Sequence, residues 1–240
     1  AGAREDRQPL GGRRRIGRLV GFKGNRRVYM KNYASAFLTD SDKGTITNKV
    51  HEAERQTSGE IVPYIASSSY SYPRANLIAG MLAGLLAGMV PAVAFNNHNV
   101  WIFLLIFLPV FAAMQWIVEF IPPLKRLFIS SEEIDAEVRE AAITAFYRYG
   151  LYRTRDETGV LIYISIFERR VCVLADRGID SVVDDSAWQG VVDTIVAGIK
   201  SGNHARALAE AVGMVGDLLR EKFPAKKDDT DELHNLIIEE

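Results

Sequence analysis

The chain has 240 residues, a formal net charge of −1 and a single cysteine, Cys172. That length fits one sizeable domain, or one domain plus a membrane element. A lone cysteine excludes an internal disulfide, and the overall charge is silent about nucleic acid, so its distribution along the chain is the better guide.

Residues Ala1 to Tyr29 carry nine Arg or Lys and two acids, with no apolar face. This basic arm is expected to be disordered. It precedes "MKNYASAFLTD", which reads as a natural start at Met30, so an over-extended reading of the gene is the simplest account of residues 1–29. A transit segment fits less well, because the arm has acids and no serine. A nonspecific anion-binding tail is the third reading.

Ile46, Val50 and Ala53 recur at helical spacing within Thr45–Gln56. Ser41 or Asp42 is expected to cap this helix, and Gly59 to end it. The run "IVPYIA", Ile61–Ala66, reads as a strand. Pro63 lacks an N–H, so the strand is an edge or is paired on one side at that point.

Two apolar runs follow. Ala75–Phe95 spans 21 residues without a charge, and Val100–Phe120 spans 21 with one acid, Glu119, at its end. About 20 apolar residues cross the hydrocarbon core as a helix. Only "NNHN", Asn96–Asn99, separates them, so residues 75–121 read as an antiparallel transmembrane hairpin. Arg74, Lys125 and Arg126 flank it, while the "NNHN" link has no Lys or Arg. The positive-inside rule then places the flanks in the cytoplasm, or its topological equivalent. The absence of a cleavable signal before Met30 agrees with this. Gly80, Gly84 and Gly88 make a smooth strip for close helix packing. Its partner is either the second span of the hairpin or another copy of the chain. Pro91 and Pro109 are tolerated in such spans, and Trp101 and Trp116 suit the interfacial belt. No row of buried charges marks a channel or a proton path, so the hairpin reads as an anchor.

Beyond the hairpin, Ser130 and Glu133 form a capping box. Ile134, Val138, Ala141, Ala142, Ala145, Phe146 and Tyr149 then line one helical face, closed by Gly150. "GVLIYISI" and "RRVCVLAD" are β-rich and are joined by "FER", short enough for a hairpin turn. The apolar run Val160–Ile166 suits a strand covered on both faces. Cys172 reads as a small apolar residue in the second of these strands. Trp188 to Ile199 and Leu208 to Leu219 repeat at helical spacing, bounded by Gly202 and Pro224. Neither flank of the hairpin has enough sheet to fold alone. Residues 40–70 and 130–225 are therefore expected to form one discontinuous domain, a layered α/β/α sandwich around a small mixed sheet, with a charged tail at 226–240. The membrane hairpin is an insertion in one of its loops.

"AERQTSGEIVPYI", "GLYRTRDETGVLIYISIFERRVCVLADRGID", "WQGVVDTIVAGIKSGNHARALAEAVGMVGDLLREKFP" and "DELHN" carry a resemblance. Over Asp40 to Asn235, less the hairpin, the chain resembles the TPM domain family. That family is named for a thylakoid lumen protein, a photosystem II repair factor and a nematode receptor auxiliary protein, and is often labelled "TPM phosphatase". The most specific pieces are T-S-G-E, E-T-G-V-L and D-R-G-I, and several bacterial members look similar in carrying a membrane pair at this place. The resemblance implies an α/β sandwich and, for some members, acid phosphatase activity or divalent-cation binding.

The acids that could serve such chemistry are Glu60, Asp176, Asp180, Asp184 and Asp185. Carboxylates converging beyond strand ends and at helix N-termini could hold Ca²⁺ or Mg²⁺, with Arg177 steadying a phosphate oxygen. Simpler roles compete with this. Asp184 or Asp185 caps a helix, Glu60 pairs with Arg155 or Arg177, and Gly178 supplies a turn of positive φ. His51, His98, His204 and His234 are scattered, and H-E-x-x-H, Walker A, G-x-S-x-G and G-x-G-x-x-G are absent. Two functions are therefore expected. One is a binding, assembly or repair accessory module anchored in a bacterial inner membrane or an organelle equivalent, with a membrane-protein partner or a second copy and no specific nucleic acid. The other is a cation-assisted phosphatase.

Overall fold

The computed structural model describes residues 19–21, 34, 37–95, 99–225 and 233–239. Its strands are β1 (Val20–Gly21), β2 (Glu60–Ala66), β3 (Gly159–Ser165), β4 (Arg170–Ala175) and β5 (Ile237–Glu239). The helices are α1 (Asp40–Glu54), α2 (Pro73–Ala94), α3 (Val100–Phe120), α4 (Pro122–Arg126), α5 (Ser131–Arg148), α6 (Arg177–Asp180), α7 (Asp185–Ser201) and α8 (His204–Lys222).

The sheet runs β1-β4-β3-β2-β5 and is mixed. β2 and β3 pair in parallel from Glu60↔Gly159 to Ala66↔Ser165, while β3 and β4 are antiparallel. Side chains alternate across the sheet, as the period of two demands. Ile61, Ile65, Val160, Ile162, Ile164, Val171 and Val173 face α1, α7 and α8. Val62, Tyr64, Leu161, Tyr163, Cys172 and Leu174 face α5, whose Ile134, Val138, Ala142 and Phe146 complete the second core layer. This is the α/β/α sandwich expected from the sequence. Pro63 sits where β2 has a neighbour on one side only, because pairing with β5 begins at Tyr64.

Several boundaries differ from the sequence reading. Thr39, not Ser41 or Asp42, is the N-cap of α1. Its hydroxyl accepts from the Asp42 amide, and the Asp42 carboxylate accepts from the Thr39 amide at 2.9 Å. The reciprocal box outcompetes a lone serine cap. The helix stops at Glu54, and Gly59 serves a different need: a Cβ there would lie 2.7 Å from Leu219. The tail expected over 226–240 is not wholly charged and exposed. Its described part ends in β5, with Ile237 buried, because Leu236-Ile237-Ile238 is an apolar run behind the charges. The basic arm of residues 1–29 lies outside the described residues except at Leu19–Gly21, where Val20 and Gly21 pair with β4.

α2 and α3 are each long and apolar enough to cross a membrane. Asn96–His98 between them lie outside the described residues, and Asn99 caps α3 by accepting from the Trp101 amide at 3.0 Å. The two helices pack along one seam. A Cβ on Gly80 would meet Phe111 at 3.0 Å, one on Gly84 Phe107 at 2.9 Å, and one on Gly88 Phe103 at 2.6 Å. Phe103, Phe107 and Phe111 stack one turn apart, with centroids 5.7 and 5.8 Å apart. A glycine strip thus receives a phenylalanine ladder, which permits the close approach that such helices need. Away from the seam, Leu86, Val90, Val93, Leu105 and Trp116 are exposed.

Gly84→Leu should separate the helices and lower the melting temperature in detergent, at a cost of about 1–3 kcal/mol for overpacking. Gly44→Ala, in α1 with open space around it, should raise stability by about 0.5–1 kcal/mol. Thermal melts of both variants check the contrast.

Candidate functional site

The two ends of the β2–β3 pair are chemically different. At the amino end lie the three family-like motifs. In T-S-G-E, the Thr57 hydroxyl donates to the Phe223 carbonyl at 2.6 Å and accepts from the Gly59 amide at 3.1 Å. The Ser58 carbonyl accepts from the Thr158 hydroxyl at 2.8 Å. In E-T-G-V-L, Glu157 has φ 55, and a Cβ on Gly159 would sit 2.5 Å from the Leu151 carbonyl. In D-R-G-I, the Asp176 carboxylate accepts from the Arg177 amide at 2.9 Å and caps α6. Gly178 has no positive φ, which corrects the sequence reading. It is glycine because a Cβ would lie 2.7 and 2.8 Å from the Asp156 and Glu157 carbonyls. These motifs interlock the corner where α8, β2, β3 and β4 meet.

The candidate cation ligands sit around this corner. Glu60, buried, heads β2 opposite Gly159, and the Asp176 amide donates to the Gly159 carbonyl at 2.9 Å. Glu60 and Asp176 therefore flank β3 from opposite sides, their backbones about 10 Å apart at two strand spacings. Asp180 is half-buried on α6, while Asp184 and Arg177 are exposed. Asp184 holds the N-cap position of α7 without a side-chain capping bond, and the Asp185 side chain lies outside the described residues. Among the described residues, no three His, Cys, Asp or Glu side chains group closely enough to hold an ion.

The carboxyl end, where open α/β sheets collect ligands, carries a cluster that the sequence reading passed over. Glu168 lies in the "FER" turn and is fully buried. Its Oε1 accepts from the Ser69 amide at 2.9 Å, the Tyr70 amide at 3.3 Å and the Ser68 hydroxyl at 3.0 Å. Its Oε2 accepts from the Ser165 hydroxyl. Tyr163 shares a 3.1 Å hydrogen bond with Ser69. Tyr72, buried at φ 49, caps α2, and its hydroxyl meets no partner at hydrogen-bonding geometry among the described residues. Burial, then the Glu168 charge, hold Tyr72 far above the ordinary phenol range. Burial likewise pushes Tyr163 up to about 12. Arg126 reaches this cluster from α4, its Nη2 donating to the Glu168 carbonyl at 3.4 Å. Burial, then Arg169 and Arg170, pull its guanidinium below the ordinary value. Below the cluster, Lys125 is buried and pairs with Glu119 at 2.7 Å, and Asn76 donates to the same carboxylate oxygen. This network ties α2, α3 and α4 together at the hairpin base.

Two features could have signalled the cluster. Ser67-Ser68-Ser69 closes one parallel strand, and an acid lies between Ser165 and two arginines at the end of the other. The arrangement positions rather than reacts, since every Glu168 oxygen is engaged and none reaches solvent.

The family model described as TPM domain, under the label TPM phosphatase, matches residues 118–218. Residues 118–218 are thus where the chain carries a TPM domain. The matched stretch runs from the end of α3 into α8, while β2, paired along its whole length with β3, lies outside it. Among solved structures, the BA42 protein from the psychrophilic bacterium Bizionia argentinensis aligns over 85% of this chain and 96% of its own, with 23% identity and a TM-score of 0.54. At that identity the likeness concerns the fold alone. No curated protein matches the chain.

Glu168→Leu should cost about 2–5 kcal/mol, because the Ser69 and Tyr70 amides lose a charged acceptor in a buried place. Denaturant titration checks it, with Arg206→Gln on the exposed side of α8 as the neutral comparison. Cys172 is fully buried, and burial pushes its thiol from 9.0 to about 12. It should therefore resist alkylation at mildly basic pH until the chain unfolds. Between about pH 9 and 12 the native thiol keeps a proton that the unfolded chain releases, so stability falls as pH rises through that window.

Proposed function

We propose that this TPM-domain chain is an integral membrane protein whose globular domain serves as a binding, assembly or repair accessory module at the cytoplasmic face of a bacterial inner membrane or its organelle equivalent. The observation that carries the reading is the hairpin. Two membrane-length helices leave the domain between β2 and α5, seal against each other along glycine and phenylalanine, and leave apolar outer faces uncovered. Exposed apolar surface on that scale calls for lipid or a protein partner. Arg74, Lys125 and Arg126 at the base, against an uncharged "NNHN" link, support the orientation. The companion is a membrane protein or a second copy of the chain.

A divalent-cation-assisted phosphatase is the competing reading, and it draws on the family label. The accessory reading is favoured because the family-like motifs are engaged in backbone hydrogen bonds and close contacts at the amino end of the sheet.

The full chain should stay in the membrane pellet through an alkaline carbonate wash and enter solution only with detergent. Release by carbonate alone would overturn the membrane assignment. The detergent-extracted chain should retain a stoichiometric membrane-protein companion, or a second copy. It should hydrolyse phosphomonoesters with Mg²⁺ or Ca²⁺ no faster than its Asp176→Asn variant. Turnover that disappears in that variant would instead establish the phosphatase.

A further inference from the structure

Three arginines gather where the hairpin meets the globular domain, and they are unequally compensated. Arg126 ends α4, Arg169 closes the turn after Glu168, and Arg170 opens β4. Arg126 feels both of the others, and its guanidinium is depressed by burial and then by their charge. Arg170 is matched: it donates to Asp135 at 2.6 Å and to Ser131 at 3.1 Å. Arg126 and Arg169 form no ion pair among the described residues, and the one bond of Arg126 is the 3.4 Å contact with a carbonyl. A guanidinium offers five N–H donors in a planar fork. The Glu168 charge acts on Arg126 and offsets part of this, but its carboxylate oxygens are already hydrogen-bonded by Ser68, Ser69, Tyr70 and Ser165. Glu133 and Glu137 on α5 act on Tyr72, not on Arg126.

The surroundings say what kind of anion fits. Arg126 lies beside Tyr72, the residue from which α2 departs, and Arg74 is in the first turn of that helix. Phe120 and Ile121, just before α4, and Leu127, next to Arg126, are exposed, as are Leu86, Val90, Val93, Leu105 and Trp116 on α2 and α3. Positive, under-bonded nitrogen therefore adjoins a long apolar surface. That juxtaposition matches an amphiphile with a phosphate head.

We propose that Arg126, with Arg169, binds the phosphate headgroup of an anionic phospholipid at the base of the hairpin, the acyl chains lying along the outer faces of α2 and α3. The proposal rests on the membrane reading given above. Basic pockets beside spanning helices hold such headgroups, and the arginine fork matches phosphate oxygens two at a time.

The full chain, reconstituted into vesicles of phosphatidylcholine with a minor share of phosphatidylglycerol and released in neutral detergent, is examined by native mass spectrometry. The wild type should keep phosphatidylglycerol in preference to phosphatidylcholine. Arg126→Gln should reduce that retention about fivefold, and adding Arg169→Gln should reduce it about fivefold again. Arg126→Lys should keep part of it, and Arg206→Gln all of it. Melting curves in detergent identify variants that keep the fold. Excess inorganic phosphate should leave retention unchanged, and displacement by it would overturn the lipid as ligand. Equal retention of both lipids, or a preference untouched in a folded Arg126→Gln chain, overturns the headgroup site while leaving the membrane reading intact. A chain that holds no lipid and stays in solution without detergent overturns both.

Discussion

The parallel pairing of β2 with β3 is the interaction on which the rest of the molecule depends. Seven residues on each strand stand in register, and the strands come from opposite sides of the hairpin. Without that pairing there is no single core. α1 and α8 would lose the sheet face they cover, and α5 would lose the other. The pairing also brings together the residues that close both ends of the sheet. Ser58 meets Thr158 at one end, 100 positions apart in sequence, and Ser68 meets Glu168 at the other, also 100 apart.

The two ends divide the work. At the amino end, Gly159 and Gly178 fit backbone against backbone so tightly that glycine is demanded where a Cβ would collide with a carbonyl. Such a corner fixes strand order. At the carboxyl end, a buried carboxylate gathers amides and a hydroxyl from the segment entering the apolar hairpin, and a second hydroxyl from the end of β3. A charged acceptor in a low-dielectric place holds its donors strongly. The path from β2 into α2 is therefore set by Glu168 as well as by the hairpin's own helices, and Lys125 with Glu119 repeats the device at the base of the hairpin.

Much of this was legible in the sequence. The helical stripes of α5, α7 and α8, the two apolar runs and the alternating strands follow from local periodicity, which survives translation into structure because burial enforces it. Joining the two flanks into one domain was also legible, since neither flank could complete a sheet. What was not legible depends on contacts distant in sequence. "FER" has the composition of any tight turn, and nothing local says that its acid will be swallowed by serines one hundred positions upstream. The candidate acids show the converse. Asp176, Asp180 and Asp184 are close in sequence, yet the fold directs Asp176 to a helix cap and leaves Asp184 exposed, while Glu60 comes to the far side of β3 from the other flank of the hairpin. The glycine strip could be read as an interface, but only the ladder of Phe103, Phe107 and Phe111 identifies what fills it. The short β5 was hidden because three apolar residues follow a strongly charged run.

The wide spacing of the paired strands has a consequence for biogenesis. During translation, β2 leaves the ribosome before either apolar helix and stays without its neighbour until α5 and β3 have been made. On the membrane reading proposed above, the nascent domain must wait, half built, while the apolar hairpin is handed to the membrane machinery. Anything that delays that handover also delays closure of the sheet. A lesion in the anchor should therefore reach quality control as a folding failure of the whole polypeptide, with no intact, freely diffusing domain left behind.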